Sequence, residues 1–228
     1  MYGNANTGRP ESPIVSETVS DKVYRHLKDA IIRGDLRRGQ RIVQEQLTEQ
    51  LQVSRTPIRD ALQRLTAEGL VVSKPFHGAV VFELSESELH ELYDIRILME
   101  NYACQQTLFT ITDEQLEKMA ALNDRIITHR SDVHECMACD SAFHMIACCS
   151  NNLHYIKPFL DSVWDKSNPY KALYYTVPRY VDETYKQHCQ IVESFRKKDP
   201  AMLAQTLESH LRDVVSVVSM NPLFHDTK

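Results

Sequence analysis

The chain has 228 residues, 43% hydrophobic and 25% charged, proportions that exclude a disordered or fibrous protein and suit a globular one. It has no run of roughly 18 apolar residues, so no membrane span is expected. The formal net charge of −5 speaks against a uniformly basic nucleic-acid binder, but residues 1–83 hold 12 Lys and Arg against 10 Asp and Glu, while residues 84–228 hold 14 against 21. A mildly basic first part tethered to an acidic second suits a protein that touches phosphate through one face only.

The first fifteen residues mix Gly, Asn, Ser and Pro without an apolar core and are expected to be a mobile tail, not a signal peptide. Val19, Val23, Leu27 and Ile31 then repeat every four residues, with Ala30 beside them, which predicts one apolar helical stripe ended by Gly34. A tight turn over residues 34–39 leads to a short helix with Val43, Leu47 and Leu51 inward. In the next helix Ser54 is the expected N-cap and Pro57 falls in the first turn, where a missing N–H costs little. Ile58, Ala61, Leu62 and Leu65 face the core, which leaves Arg55, Thr56 and Arg59 pointing outward from the N-terminal end. In a helix-turn-helix those positions reach base edges in the major groove, and Arg matches the two acceptors of guanine.

After Gly69 the β-branched runs Leu70–Ser73 and Ala79–Phe82 flank Lys74-Pro75-Phe76-His77-Gly78, which predicts a hairpin, the wing of a winged helix-turn-helix. The stretch from Val23 to Phe82, above all GDLRRGQRIVQEQLTEQLQVSRTPIRDALQRLTAEGLV, resembles the GntR family of bacterial regulators. The resemblance implies DNA contacts by Arg55, Thr56 and Arg59 from the recognition helix and by His77 and Gly78 at the wing tip. Glu45 departs from the pattern, because some members carry Arg there.

Beyond Phe82 no strand is expected. Ser85–Glu88 and Thr112–Gln115 are capping boxes, Asp199-Pro200 caps the last helix, and segments near 113–129, 132–149, 152–166 and 178–197 have helical periodicity. The fold class is therefore mainly α: three helices and a β-hairpin, followed by an all-α antiparallel bundle of six or seven helices. The expected division is a tail over 1–15, a DNA-binding domain over 16–83, a helical effector, metal-binding and dimerisation domain over 84–220, and a tail over 221–228.

Asp140 and His144 share a helix face, while His188 and His210 lie on two helices joined by a short turn. One carboxylate with three imidazoles suits a divalent zinc, nickel, iron or manganese ion. Histidine also stands at 90, 129, 134, 154 and 225, so spacing by itself does not select these four. Residues 85–219 are similar to the FCD domain of the GntR family, at DSAFH, KQHCQIVESFRKKD and LESHL. That resemblance makes Asp140, His144, His188 and His210 the metal ligands, zinc foremost, and places Arg96 and Asn152 in an effector pocket. A metal and a guanidinium together suit a small organic or sugar acid.

The implied whole is a non-enzymatic, cytoplasmic homodimer on a pseudo-palindromic double-stranded operator, a repressor whose binding an acid effector modulates. Two rivals stand beside it. Cys136-x-x-Cys139 and Cys148-Cys149 flank the Asp140 turn, so metal occupancy or thiol state could itself be the signal. Asp and His could also activate water for hydrolysis, although no separate carboxylate in a recognisable general-base motif is evident near them.

Overall fold

The structure is a computed structural model that describes residues 17–149, 153–221 and 224. Among these, the first core is built by α1 (Val19–Arg33), α2 (Gln44–Leu51), α3 (Arg55–Ala67), β1 (Val71–Lys74) and β2 (Gly78–Val81). Thr18 and Asp21 form a capping box at the start of α1, and Gly34 ends it at φ +83, its N–H donating to Ile31 O. The apolar stripe starts one turn later than its spacing predicts. Val19 is the first helical residue, lies at the open end of α1 and is exposed, whereas Val23, Leu27, Ala30 and Ile31 are buried.

In α3 the predicted inner residues Ile58, Ala61, Leu62 and Leu65 are all buried. The strands pair antiparallel, with Val71 opposite Val81 and Lys74 opposite Gly78, so Pro75, Phe76 and His77 form the hairpin tip. A third rung comes from the turn after α1: Arg41 bridges Val80, and Ile42 N donates to Ala79 O at 2.8 Å. The wing is thus fastened to the same core as the recognition helix.

The second core is made by α4 (Glu86–Thr107), α5 (Asp113–Thr128), α6 (Val133–Cys149), α7 (Lys157–Tyr175), α8 (Pro178–Lys197) and α9 (Pro200–Ser219). Ser85 with Glu88 and Thr112 with Gln115 close the expected capping boxes, and Asp199 accepts from the backbone of Ala201 and Met202. The segment expected over 152–166 differs: the helix begins at Lys157 and continues through Pro169 to Tyr175. An internal proline removes a hydrogen bond at a cost of about 3 kcal/mol. Burial of Tyr170, Ala172, Tyr174 and Tyr175 around it offsets that local cost.

Helix α7 packs on α4, α6, α8 and α9 and also on α1 of the first core. Phe224, in the stretch expected as a C-terminal tail, is buried against Tyr170, their ring centroids 5.8 Å apart. The tail over 1–15 lies outside the described residues.

The Asp199 carboxylate satisfies two N–H groups at the start of α9. Replacing it with Ala should cost about 1 kcal/mol, lowering the thermal midpoint by about 2–4 °C for a chain of this size. Calorimetric melting checks this.

Candidate functional site

On the face expected to meet DNA, α3 begins at Arg55 after Ser54, whose side chain makes no capping bond, and its first turn holds no acid. The positive end of the helix is therefore open to a phosphate. Arg55, Thr56 and Arg59 are exposed there, as are His77 and Gly78 on the wing. Glu45 of α2 lies 3.7 Å from the Arg55 guanidinium. Phe76, not singled out from the sequence, stands fully exposed at the hairpin tip with φ +64, a backbone region that a bulky side chain seldom adopts.

In the second core, α6 supplies Asp140 and His144 one turn apart, α8 supplies His188 and α9 supplies His210. All four side chains are buried, and one ligand atom from each lies within 4.8 Å of the others. The nitrogens Nε2 of His144 and His210 are 3.2 Å apart. His188 Nε2 is 3.5 Å from Asp140 Oδ1, and neither ring nitrogen of His188 has a hydrogen-bond partner. Burial pushes the His188 and His210 imidazoles well below their ordinary pKa, so both are neutral at pH 7 and offer lone pairs. Converging neutral nitrogens, an orphaned buried imidazole and an adjacent carboxylate fit a divalent cation.

A second layer of side chains was not legible from the sequence. Glu100 Oε2 lies 2.9 Å from His144 Nδ1, and its Oε1 accepts from Arg96 Nε at 2.5 Å and from Trp164 Nε1 at 2.7 Å. A separate carboxylate therefore stands beside the cluster, although no general-base motif marks it in the sequence. Its partners hold it as a group that orients His144. His210 Nδ1 is 2.8 Å from Gln187 Oε1, and Gln187 is held in turn by Asp213. Carboxylate or amide partners on Nδ1 turn Nε2 inward.

Asp140 is held by Tyr175, whose hydroxyl donates at 2.8 Å, and by Lys171. Burial opposes the charge of Asp140, but the Lys171 ammonium keeps its carboxyl well below the usual range. Lys171 itself is pulled below its usual value by burial, even beside that carboxylate. Arg96 is buried between Glu100 and Ser167, with Nη1 donating at 3.3 Å, so part of its guanidinium is already engaged. It lines a cavity of about 280 Å³ together with Asp140, His144, Trp164 and Asp165. Asn152, the other expected effector contact, lies outside the described residues.

Cysteine does not join the cluster among the described residues. Burial pushes the Cys136 and Cys139 thiols up to about 11. Protonated thiols at neutral pH are poor metal ligands and poor nucleophiles.

The sequence matches the family model for bacterial regulatory proteins of the gntR family over residues 19–81 and that for the FCD domain over residues 91–213. The chain is 27% identical to the uncharacterized HTH-type transcriptional regulator YdhC of Bacillus subtilis, over 82% of the chain and 85% of the relative. It is 26% identical to the gluconate operon transcriptional repressor of Bacillus licheniformis, over 94% and 90% respectively. The solved structure of Escherichia coli McbR/YncC superposes with a TM-score of 0.78 at 20% identity, covering 89% of this chain and 97% of that one.

His188 and His210 are held neutral in the folded chain, whereas in the unfolded chain they take up protons below about pH 6.5. A lowered folded pKa means that protons favour unfolding, so stability is lost as pH falls through the unfolded value. Melts of chelated protein should drop between pH 7.5 and 5.5. The drop should be smaller in His188→Gln.

Proposed function

Since the chain belongs to the GntR family of bacterial regulatory proteins, carries an FCD domain and is accordingly a DNA-binding transcriptional regulator, we propose that it is a repressor with a metal-dependent acid sensor. In this reading residues 16–83 form the reading domain and residues 84–220 the sensor domain. Arg55, Thr56 and Arg59 read the major groove, and His77 and Gly78 meet the duplex from the wing. Asp140, His144, His188 and His210 hold a divalent metal, zinc being well suited to one oxygen and three nitrogens. When bound, the metal supplies a Lewis-acidic anchor for an oxygen of an organic or sugar acid.

The observation that carries this reading is the meeting of four side chains from three helices in a closed interior that borders a cavity. Arg96 and His144 are both buried and both line that cavity, so a small carboxylate entering it would meet the guanidinium and the metal together. The name of the Bacillus licheniformis relative, a repressor of a gluconate operon, points the same way. A signal carried by Cys136, Cys139, Cys148 or Cys149 is disfavoured, because burial raises the pKa of each of these thiols.

Repressors of this family act on two-fold operators, which requires a homodimer. Ile95, Leu98 and Tyr102 form an exposed apolar stripe along α4, and Leu98 is 71% exposed. We assign this stripe to a second copy of the chain in the cytoplasm. Leu98→Glu should shift the protein toward monomer in sedimentation and weaken operator binding.

The test uses zinc-loaded protein and the duplex upstream of its own gene. Arg59→Ala should weaken binding by about 1–3 kcal/mol if it forks onto a guanine. Glu45→Gln should tighten binding, because it frees Arg55 and removes a negative charge from the phosphate-facing surface. Organic and sugar acids should raise the melting temperature of zinc-loaded protein and not of chelated protein. Arg96→Lys keeps the interior charge balanced against Glu100 but removes the fork, so it should diminish that shift. Equal shifts with and without zinc would remove the metal from the sensor.

A further inference from the structure

Helix α7 is shared by both halves of the protein. It lines the cavity with Trp164, Asp165 and Asn168, and it reaches Asp140 with Lys171 and Tyr175. From the same helix Asp165 Oδ2 lies 2.5 Å from Lys28 Nζ of α1. The same ammonium is 3.1 Å from Glu68 Oε2, and Glu68 is the residue that terminates the recognition helix α3. The other oxygen of Glu68 accepts from the Tyr24 hydroxyl at 2.5 Å. Lys28 also borders the cavity itself.

One cation of the reading domain is therefore divided between a wall of the cavity and the end of the helix that reads DNA. The Lys28 and Asp165 side chains are only 23% and 24% exposed, so their attraction is less screened than that of a surface pair. The two halves also meet closely here. A Cβ on Gly69, which follows Glu68 and has φ +74, would stand 3.2 Å from Lys166 Cε of α7. Further along α7, the Arg38 guanidinium lies over the Tyr170 ring, 4.6 Å from its centroid, next to Lys171.

We propose that Lys28 is functionally a residue of the effector site, and that the chain Asp165–Lys28–Glu68 carries the state of that site to the recognition helix. The proposal rests on the metal and effector reading above. A group that engages Asp165 from the cavity, or an ion that draws Asp140 away from Lys171 and Tyr175, changes the load on α7. Lys28 then exchanges hold on Asp165 for hold on Glu68. The tilt of α3 against the second domain follows, and so does the spacing of the two reading heads. Such a link transmits only the difference in free energy between the two arrangements.

The experiment uses the full chain, zinc alone as the probe and the duplex upstream of its own gene. Trp164 is the only tryptophan of the chain and lines the cavity, so its emission reports zinc uptake. In the wild type, DNA affinity measured by anisotropy should differ about fivefold or more between zinc-loaded and chelated protein, the lower end of usual coupling. In Lys28→Met that ratio should fall below about twofold, while the zinc affinity read at Trp164 stays within about threefold of wild type, margins set against the same coupling range. Glu68→Gln leaves the Lys28–Asp165 pair in place, covers the case in which Lys28→Met folds poorly, and should lose the ratio in the same way. Two soluble variants that keep the wild-type ratio overturn the relay and leave the metal reading standing. A wild type that takes up zinc yet shows no ratio also overturns it. Failure to take up zinc is a failure of the underlying reading and removes the relay's signal with it.

Discussion

Four helices of the second domain, α6 to α9, meet around the buried Asp140. A carboxylate taken out of water is tolerated only if opposite charge and hydrogen bonds replace its hydration. Here Lys171 and Tyr175 supply them from α7, while three imidazoles from α6, α8 and α9 close the remaining side. Four helices must therefore hold fixed positions for one carboxylate to remain charged. The same requirement makes the interior a receptor for a cation, because an ion of suitable charge satisfies groups that protein partners leave incomplete, His188 above all.

A second consequence concerns Glu100. It stands between Arg96 and His144, with the Trp164 indole donating to it. The arginine expected to meet an effector is thereby tied to the imidazole expected to meet the metal. Ligand and metal sites form one connected network rather than two neighbouring ones, and networks of this kind respond as a unit. Helix α7 extends that unit to the reading domain, since it touches the cavity, Asp140 and α1 at once.

Much of the fold was legible because it is local. Capping boxes at Ser85 and Thr112, the Gly34 stop and the inner stripe of α3 are written within a few residues of one another. The wing was legible as two β-branched runs around a glycine-containing loop. Within the site, periodicity placed Asp140 and His144 on one face, but the full ligand set came from resemblance, because nothing local distinguishes His188 and His210 from the other histidines. Lys171 and Tyr175 were hidden by the expectation that the helix stops before Asn168-Pro169. Packing carries it nine residues past position 166, to Tyr175. Glu100 and Lys28 read as ordinary charges of amphipathic helices. Their roles depend on neighbours dozens of residues away, which no period records.

The central claim is that four protein ligands with nitrogen and oxygen donors hold a metal in the interior of the second domain. X-ray absorption at the zinc edge of protein loaded with one equivalent tests this most directly, because zinc–sulfur and zinc–nitrogen or zinc–oxygen distances differ by about 0.2–0.3 Å. The account predicts a first shell of nitrogen and oxygen near 2.0–2.1 Å with imidazole scattering and no sulfur. A shell containing sulfur, or zinc that washes off the chain without ordered imidazole neighbours, would contradict it.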